Sequence, residues 1–168
     1  SDTVDYTNSA TKVVVDLDGS NTILATHDGV SDSVKNVENV VGTALADTIT
    51  GDDASNIISG AAQNDIIDGE SGDDTLSGDG GDDTLRGGTG DDVIDGGTGT
   101  NTADYSGNSA VNVDLSDSNA QDTTGAGTDT LSNIQNLIGS TGNDVLTGSS
   151  VANSISGGDG KDSLVASG

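Results

Sequence analysis

The chain has 168 residues, with 29 acidic against four basic side chains, a formal net charge of -25 and no cysteine. This balance argues against nucleic acids and anionic membranes as partners, since both require clustered Lys and Arg. No apolar run is long enough for insertion into a membrane. With 30% apolar residues and only two aromatics, composition alone predicts a disordered chain unless bound multivalent cations order it.

The first 41 residues predict short strands around a polar loop. Val13, Val15 and Leu17 alternate with other residues, as in a strand with one buried face. The range 18–31 is rich in Gly, Ser and Asp, which predicts a loop that protrudes from the fold. Residues 16–21 superficially resemble the start of an EF-hand, but the closing Glu and the flanking helices are missing, so no EF-hand is predicted.

From residue 42 to residue 104 the chain repeats every nine residues, and its best copies read GESGDDTLS, GDGGDDTLR and GGTGDDVID. Copies start at Gly42, Gly51, Gly60, Gly69, Gly78, Gly87 and Gly96, and the nine-residue spacing resumes at Gly139, Gly148 and Gly157. Place six holds Asp47, Asn56, Asp65, Asp74, Asp83, Asp92, Asn101, Asp144, Asn153 and Asp162. Place eight holds Ile49, Ile58, Ile67, Leu76, Leu85, Ile94, Ala103, Leu146, Ile155 and Leu164. Seven consecutive copies and a second run of three establish a repeat architecture.

Each copy predicts a glycine turn followed by a short strand whose place-eight side chain points inward. One repeat cannot bury its aliphatic residue alone, so two repeats form one coil of eighteen residues. Coils stacked ~4.8 Å apart then share a thin core between two parallel sheets. The sequence therefore predicts an all-β fold, a parallel β-roll or β-helix solenoid with protruding loops.

Residues 105–138 interrupt the repeat and resemble residues 1–41. Matching segments lie 97 to 99 residues apart, from Asn36 to Asn133 and from Asp5 to Asp104. Val40 and Leu137 both fall on place eight of the extended frame, so each segment is expected to continue the roll as irregular rungs, with a second loop at 116–128. We therefore predict a duplicated unit whose second copy is truncated. The predicted parts of the whole chain are the irregular rungs and loop 1–41, a first roll block 42–104, the duplicate segment 105–138 and a second, truncated roll block 139–168.

The roll geometry places the acid of each turn about 5 Å from the acid two repeats later, since that is the spacing of neighbouring strands. Each neighbouring pair of carboxylates then repels by roughly 1–3 kcal/mol, and several pairs would cancel a domain stability of ~5–15 kcal/mol. A cation between the turns reverses the sign. Ca²⁺ fits best, because it accepts six to eight carboxylate and carbonyl oxygens in flexible geometry, whereas Mg²⁺ demands tight octahedra.

These turns resemble the RTX, or hemolysin-type calcium-binding, family, whose nonapeptide is G-G-x-G-x-D-x-U-x. The resemblance implies a β-roll that holds several Ca²⁺ ions between repeats n and n+2, bound by place-six side chains and loop carbonyls. The implied pairs are Asp74 with Asp92, Asp65 with Asp83, Asp83 with Asn101, and Asp144 with Asp162. The implied turn ligands, with backbone carbonyls at the Gly and Ser positions, are Gly69, Ser71, Asp73, Gly78, Gly80, Asp82, Gly88, Gly90, Gly97 and Gly99.

Some turns depart from the family pattern. Those before Asp47, Asn56 and Asn153 lack Gly at place four and have Ala or Ser at place five, which predicts weak or absent sites there. Lys161 brings a positive charge beside the site expected at Asp162. We therefore expect the strongest calcium sites between residues 60 and 101.

Catalysis is not expected from this chain. His27 is the only histidine and falls in a predicted loop, and without large hydrophobic residues there is little to build a pocket that raises a carboxyl pKa for glycosidase chemistry. We expect a calcium-dependent structural module of a larger secreted or cell-surface bacterial protein of the adhesin or surface-layer type. The alternatives are an accessory module of a secreted protease, lipase or polysaccharide-modifying enzyme, or a face that binds ice or carbohydrate. The resemblance also implies export by type I secretion machinery, with folding outside the cell where calcium is abundant.

Overall fold

The structure, a computed structural model, describes residues 1–17, 23–27, 30–34 and 37–166. These residues form nineteen short strands and no helix, and so contain no helix that could cross a membrane. The strands are β1 (Thr3–Asp5), β2 (Val14–Asp16), β3 (Ile23–His27), β4 (Val30–Val34), β5 (Asn39–Val41), β6 (Thr48–Thr50), β7 (Ile57–Ser59), β8 (Ile66–Asp68), β9 (Thr75–Ser77), β10 (Thr84–Arg86), β11 (Val93–Asp95), β12 (Thr102–Asp104), β13 (Asn112–Asp114), β14 (Gln121–Asp122), β15 (Thr128–Ser132), β16 (Asn136–Ile138), β17 (Val145–Thr147), β18 (Ser154–Ser156) and β19 (Ser163–Val165).

Alternate strands of the repeat build two opposite walls. One sheet runs in the order β1-β5-β7-β9-β11-β15-β14 and the other in the order β18-β16-β12-β10-β8-β6-β2-β3-β4. A third sheet, β13-β17-β19, continues the roll at the carboxy-terminal end. Within the repeats all pairs are parallel, and each place-eight residue faces the one two repeats later, as in the register Ile58, Leu76 and Ile94. The predicted parallel β-roll is confirmed.

The core is a double file of aliphatic side chains from place eight, because only the middle residue of each three-residue strand points inward. Ile49, Ile58, Ile67, Leu76, Leu85, Ile94 and Leu146 are all buried. Their neighbours at place seven face solvent, and Ile57 is 55% exposed. Full burial of one such side chain contributes roughly 1.5–3 kcal/mol. Each repeat thus adds one modest hydrophobic increment, and the core holds only if the turns permit close stacking.

On the outer surface of one sheet, side chains at place nine of successive coils form a row of ion pairs. Arg86 Nη1 lies 3.1 Å from a carboxylate oxygen of Asp68, and Nη2 lies 2.7 Å from one of Asp104. These residues stand on β8, β10 and β12, which are consecutive strands of the same sheet. Burial and the Arg86 guanidinium act oppositely on Asp104, and the net effect lowers the pKa of that carboxyl.

Where the sequence predicts loops, the structure has antiparallel hairpins. Strands β3 and β4 form a hairpin on β2 within the predicted 18–31 loop and just beyond it, while residues 18–22, 28–29 and 35–36 lie outside the described residues. In the second segment β14 and β15 form a hairpin, and Thr123 and Ala126 are buried. The expectation of a protruding loop is therefore wrong for 121–128. β15 pairs with β11, with Leu131 beside Ile94, so the hairpin is part of the sheet.

Strand pairing repeats the duplication seen in the sequence. β1 pairs with β5 as β12 pairs with β16, and β2 pairs with β6 as β13 pairs with β17. The Asp2 amide donates to a carboxylate oxygen of Glu38 at 2.7 Å, and the Asn101 amide donates to the Gln135 side chain at the same distance. Residues 1–5 therefore occupy places five to nine of a repeat, as residues 100–104 do.

Candidate metal centre

The turns of the strong repeats depend on glycine because two turns approach each other closely. Gly90 and Gly99, both at place four, have φ values of 135° and 129°, a region that L side chains rarely adopt. A Cβ at Gly90 would contact the carbonyl oxygen of Gly72, and one at Gly99 that of Gly81. The same holds at place two, where Gly88 and Gly97 approach the carbonyls of the turns two repeats before. Carbonyl oxygens of one turn thus point into the space above it.

The place-six side chains form two buried files along the edges of the roll. The Asp74 amide donates to Oδ1 of Asp92 at 2.9 Å, and the Asp65 amide donates to Oδ1 of Asp83 at 2.9 Å. These four carboxylates are at most 1% exposed. In each of the four, Oδ1 accepts a hydrogen bond from the backbone amide two repeats earlier, which fixes the orientation of the carboxylate. The other oxygen, Oδ2, is buried as well.

The place-five side chains form a second ladder that runs in the opposite direction. Oδ1 of Asp73 accepts the Asp91 amide at 2.9 Å, and Oδ1 of Asp82 accepts the Thr100 amide at 2.8 Å. Here the acceptor belongs to the earlier repeat, whereas at place six it belongs to the later one. Both acids are on the exposed outer edge. The structure thus separates Asp73 and Asp82 from the buried carboxylates.

Four buried carboxylate oxygens accept no hydrogen bond within the described part of the chain. They are the Oδ2 atoms of Asp65, Asp74, Asp83 and Asp92. A buried polar group without a partner costs about 1–3 kcal/mol, and more when it is charged. The four belong to one stretch and form the pairs Asp65–Asp83 and Asp74–Asp92, so their free oxygens fit a bound cation.

Burial also makes these carboxyls hard to ionise. Removal from water raises the pKa of Asp65 and of Asp74 to about 7, and the nearest acids of the same files add to the effect. The pKa of Asp92 rises to about 6 for the same main reason, with a contribution from the charge of Asp129. Burial likewise raises the pKa of Asp83. A cation would remove this penalty, because it favours the charged form.

In two other place-six carboxylates, both oxygens accept hydrogen bonds from the protein; these carboxylates are called closed, and those with an unpartnered oxygen are called open. Oδ2 of Asp47 accepts the Thr43 amide at 2.5 Å, and its Oδ1 accepts the Thr43 hydroxyl at 3.0 Å and the Val13 amide at 2.8 Å. Asp144 is bound in the same way, by the amide and hydroxyl of Ser140 at 2.7 and 2.6 Å and by the Val111 amide at 2.8 Å. The sequence predicts a weak site at Asp47, and it predicts that Asp144 binds calcium together with Asp162. The carboxylate of Asp144 has its donors within the protein, in contrast to that of Asp65.

The place-six amides are also committed to protein partners. Asn101 donates its side-chain amide to the Asn133 carbonyl at 3.1 Å, Asn56 to the Glu38 carbonyl at 3.1 Å, and Asn153 to the Gln135 carbonyl at 2.8 Å. In each of these asparagines the side-chain nitrogen takes the position that a carboxylate oxygen has in an aspartate at place six. Asp162, at the far end, is half-buried and accepts the Asp144 amide through Oδ1 at 3.1 Å.

The donor set fits calcium better than a metal that needs several strong side-chain ligands. Within the described ranges no three His, Cys, Asp or Glu side chains come together as a metal site. Two carboxylates and the carbonyls of two facing turns remain, all of them oxygen donors. Ca²⁺ takes six to eight such oxygens at flexible angles. The turns are in register for this, since Ser71 bridges Thr89 and Gly80 bridges Thr98.

Comparison with protein families gives the same result. The RTX calcium-binding nonapeptide repeat matches residues 41–76, 68–103 and 137–168, which is more than half of the chain. This chain belongs to the RTX calcium-binding repeat family. No curated protein matches it. As an RTX module it binds calcium, and the RTX repeat itself is a structural unit without a catalytic role.

One RTX-like turn escaped the sequence analysis. Residues 124–132 read TGAGTDTLS, a repeat that is one residue out of phase with the first block and lies outside the family match. The Asp92 amide donates to Oδ1 of Asp129 at 3.1 Å, so Asp129 takes the place-six position above Asp92. Its Oδ2 accepts the Tyr105 hydroxyl at 3.0 Å and the Thr123 hydroxyl at 3.1 Å. Asp129 therefore ends the file with protein donors, like Asp47 and Asp144.

Proposed function

We propose that this RTX module binds calcium chiefly at two carboxylate pairs, Asp65 with Asp83 and Asp74 with Asp92, and that binding drives its folding. The observation that carries the proposal is the set of four buried Oδ2 atoms without a donor. Loop carbonyls of the facing turns, including those at Gly69, Ser71 and the further Gly positions predicted from the family, complete each site. The closed carboxylates and the amides contribute stability to the roll without a metal.

Coupling of binding to folding follows from the same geometry. Without a cation the buried acids oppose the stacking of turns, and the thin aliphatic core offers little compensation. The free energy of binding is then the free energy of folding, as in other metal-dependent domains. We expect a disordered circular dichroism spectrum in a chelator and a β spectrum after calcium is added. A chain that is folded without calcium at neutral pH would contradict the coupling.

A matched pair of variants tests the site assignment. Replacement of Asp74 and Asp92 together by Ala is expected to remove at least one ion from the stoichiometry measured by calorimetry. Replacement of the closed acids Asp47 and Asp144 together by Asn is expected to lower stability but to leave the number of bound ions unchanged. Equal stoichiometry in the two double variants would refute the distinction between open and closed carboxylates.

For the host protein we propose a large secreted or cell-surface RTX protein of the adhesin or surface-layer type, exported by type I secretion. The tandem duplication supports a scaffold built from repeated units. The alternative is an accessory module of a secreted protease, lipase or polysaccharide-modifying enzyme. An antibody against this chain would locate the native protein in the culture medium or on the cell surface. Mass spectrometry of the captured protein would decide, since a neighbouring catalytic domain contradicts the scaffold assignment.

A further inference from the structure

The nine-residue turns of this chain have two different backbone conformations. In one, places two and four both have a positive φ, as Glu70 and Gly72 do at 74° and 116°. The turns of this kind, here called open turns, include those before Asp65, Asp74, Asp83 and Asp92. In the other, neither place has a positive φ, and these closed turns begin at Gly42, Gly51, Gly139 and Gly148.

A closed turn directs its place-two amide at the place-six side chain of the same repeat. The four bonds are 2.5 to 2.8 Å long and join Thr43 to Asp47, Asp52 to Asn56, Ser140 to Asp144 and Ser149 to Asn153. In an open turn the amide points elsewhere, and that of Glu70 donates to Oδ1 of Asp68 at 3.2 Å, outside its own repeat. The turn conformation therefore decides whether the second oxygen at place six has a donor.

The side chain at place two holds a turn in the closed conformation. The Thr43 hydroxyl accepts the place-four amide at 3.0 Å and donates to Oδ1 of Asp47 at 3.0 Å. The Ser140 hydroxyl makes the same two bonds, to the place-four amide at 2.9 Å and to Oδ1 of Asp144 at 2.6 Å. A hydroxyl can join both groups because it donates one hydrogen bond and accepts others.

The other places of the turn do not account for the two conformations. Gly142 is at place four of a closed turn and has no positive φ, whereas Gln63 is at place four of an open turn with a φ of 69°. Thr occurs at place three, and Asn at place five, in both kinds of turn. The amide of the neighbouring coil donates to Oδ1 at place six in both kinds as well.

Aspartate at place two occurs in both kinds of turn, and its partner at place six explains the difference. Asp52 lies beside Asn56, whose side-chain amide donates to Oδ1 of Asp52 at 3.3 Å. Asp79 belongs to the repeat of Asp83, and two carboxylates in that position would repel each other. The oxygens of Asp79 instead accept two serine hydroxyls at place nine, at 2.6 and 2.8 Å.

We propose that the residue at place two selects which turns bind calcium, an inference that rests on the proposed function. Ser or Thr there closes the turn, so that one amide and one hydroxyl of the protein take the part of the cation. Ala, Gly, Glu, or Asp in the same repeat as a place-six Asp leaves the turn open, and Oδ2 at place six is then available to calcium. The rule explains why Asp65 and Asp144 differ although both are buried.

Substitution at place two separates the effect of the residue from that of its position, since the closed turns are also the first two of each block. Ala61→Ser adds one hydroxyl to the open turn of Asp65, which is the third turn of its block. We expect calorimetry to count one bound ion fewer. We also expect the amide of residue 61 to become protected from hydrogen exchange, because it gains the Asp65 carboxylate as acceptor. The control is Ala61→Gly, which keeps the turn open and the number of ions unchanged.

Ser140→Gly tests the rule in the opposite direction. It removes the hydroxyl and permits a positive φ, so that the turn before Asp144 can open. We expect one bound ion more, between Asp144 and Asp162, whereas Ser140→Thr keeps the hydroxyl and adds none.

Circular dichroism of the same samples in calcium reports whether each variant is folded. Unchanged ion numbers in Ala61→Ser and Ser140→Gly, with calcium bound by the wild-type chain, would overturn the place-two rule alone. An Ala61→Ser chain that does not fold in calcium would also contradict the rule, because a closed turn needs no ion. A wild-type chain that binds no calcium would overturn the proposed function as well.

Discussion

Protons should replace calcium as the agent that folds this chain. Burial raises the pKa of Asp65 and Asp74 from 3.8 to about 7, and that of Asp92 to about 6. A group whose pKa is higher in the folded than in the unfolded state favours folding when it is protonated. Its contribution is fully present below about pH 3.8 and is lost as the pH rises through about 6 to 7. The calcium-free roll is therefore expected to be stable in mild acid and unstable at neutral pH.

The size of the effect is large for a domain of this kind. Each pKa unit corresponds to about 1.4 kcal/mol, so ionisation of Asp74 in the folded state costs about 4 kcal/mol and that of Asp92 about 3 kcal/mol. The sum for these two groups already falls within the ~5–15 kcal/mol that stabilise a typical domain.

Far-UV circular dichroism in metal-free buffer measures this directly. We expect a β spectrum near pH 5 that is lost toward pH 8, and no such loss when calcium is present. The control is a variant in which Asp65, Asp74, Asp83 and Asp92 are all Asn, which keeps the shape of each side chain and removes the charge. It should retain its β signal without calcium at both pH values. Disorder of the wild-type chain at both pH values, or a pH-dependent loss in the amide variant, would refute the reasoning.

Three further substitutions test the turn, the core and the end of the file, each in calcium by denaturant unfolding. Gly90→Ala is expected to destabilise the roll by more than about 1 kcal/mol because of its positive φ and the nearby carbonyl. Gly107→Ala should be close to neutral, because an added Cβ there makes only ordinary van der Waals contact with the Arg86 side chain; equal effects of the two changes would contradict the turn geometry. Leu85→Ala is expected to cost about 2–5 kcal/mol, and a cost below 1 kcal/mol would mean that the core is less tightly packed than described. Tyr105→Phe removes a donor from the buried Asp129 carboxylate and should cost about 1–3 kcal/mol; no measurable loss would show that this carboxylate does not need the hydroxyl.

The repeat made the fold predictable, because a nine-residue period with one aliphatic residue leaves few ways to bury that residue. Val40 and Leu137 continued the frame across irregular segments, and both are in the core. The hairpins were not predictable in this way, since the polar composition of 116–128 hides two buried residues and one strand. The TGAGTDTLS turn was missed because a shift of one residue removes it from the frame.

The candidate site was predictable only in part. The sequence identified Asp74 and Asp92 from the quality of their turns, and these are among the carboxylates with an unpartnered oxygen. It also predicted a site at Asp144 with Asp162, although the carboxylate of Asp144 has donors within the protein. The Val111 amide reaches Asp144 from 33 residues away, and the Ser140 hydroxyl replaces a glycine at place two. The Ser140 hydroxyl lies four residues before Asp144 and can be read from the sequence, whereas the Val111 donor becomes visible only when the coils are stacked.

Arg86 makes one coil of this near-uniform solenoid chemically different from the others. The aliphatic core is almost the same in every coil, so it opposes misaligned stacking only weakly during folding. Arg86 is the single basic residue between 42 and 104, and it meets Asp68 and Asp104 on either side. A coil docked eighteen residues out of step would set Thr50 against the guanidinium and leave one acid without its cation. The two ion pairs of Arg86 thus favour the correct alignment over others of nearly equal hydrophobic energy. We expect Arg86→Ala to refold more slowly and with more kinetic phases, as measured by stopped-flow circular dichroism.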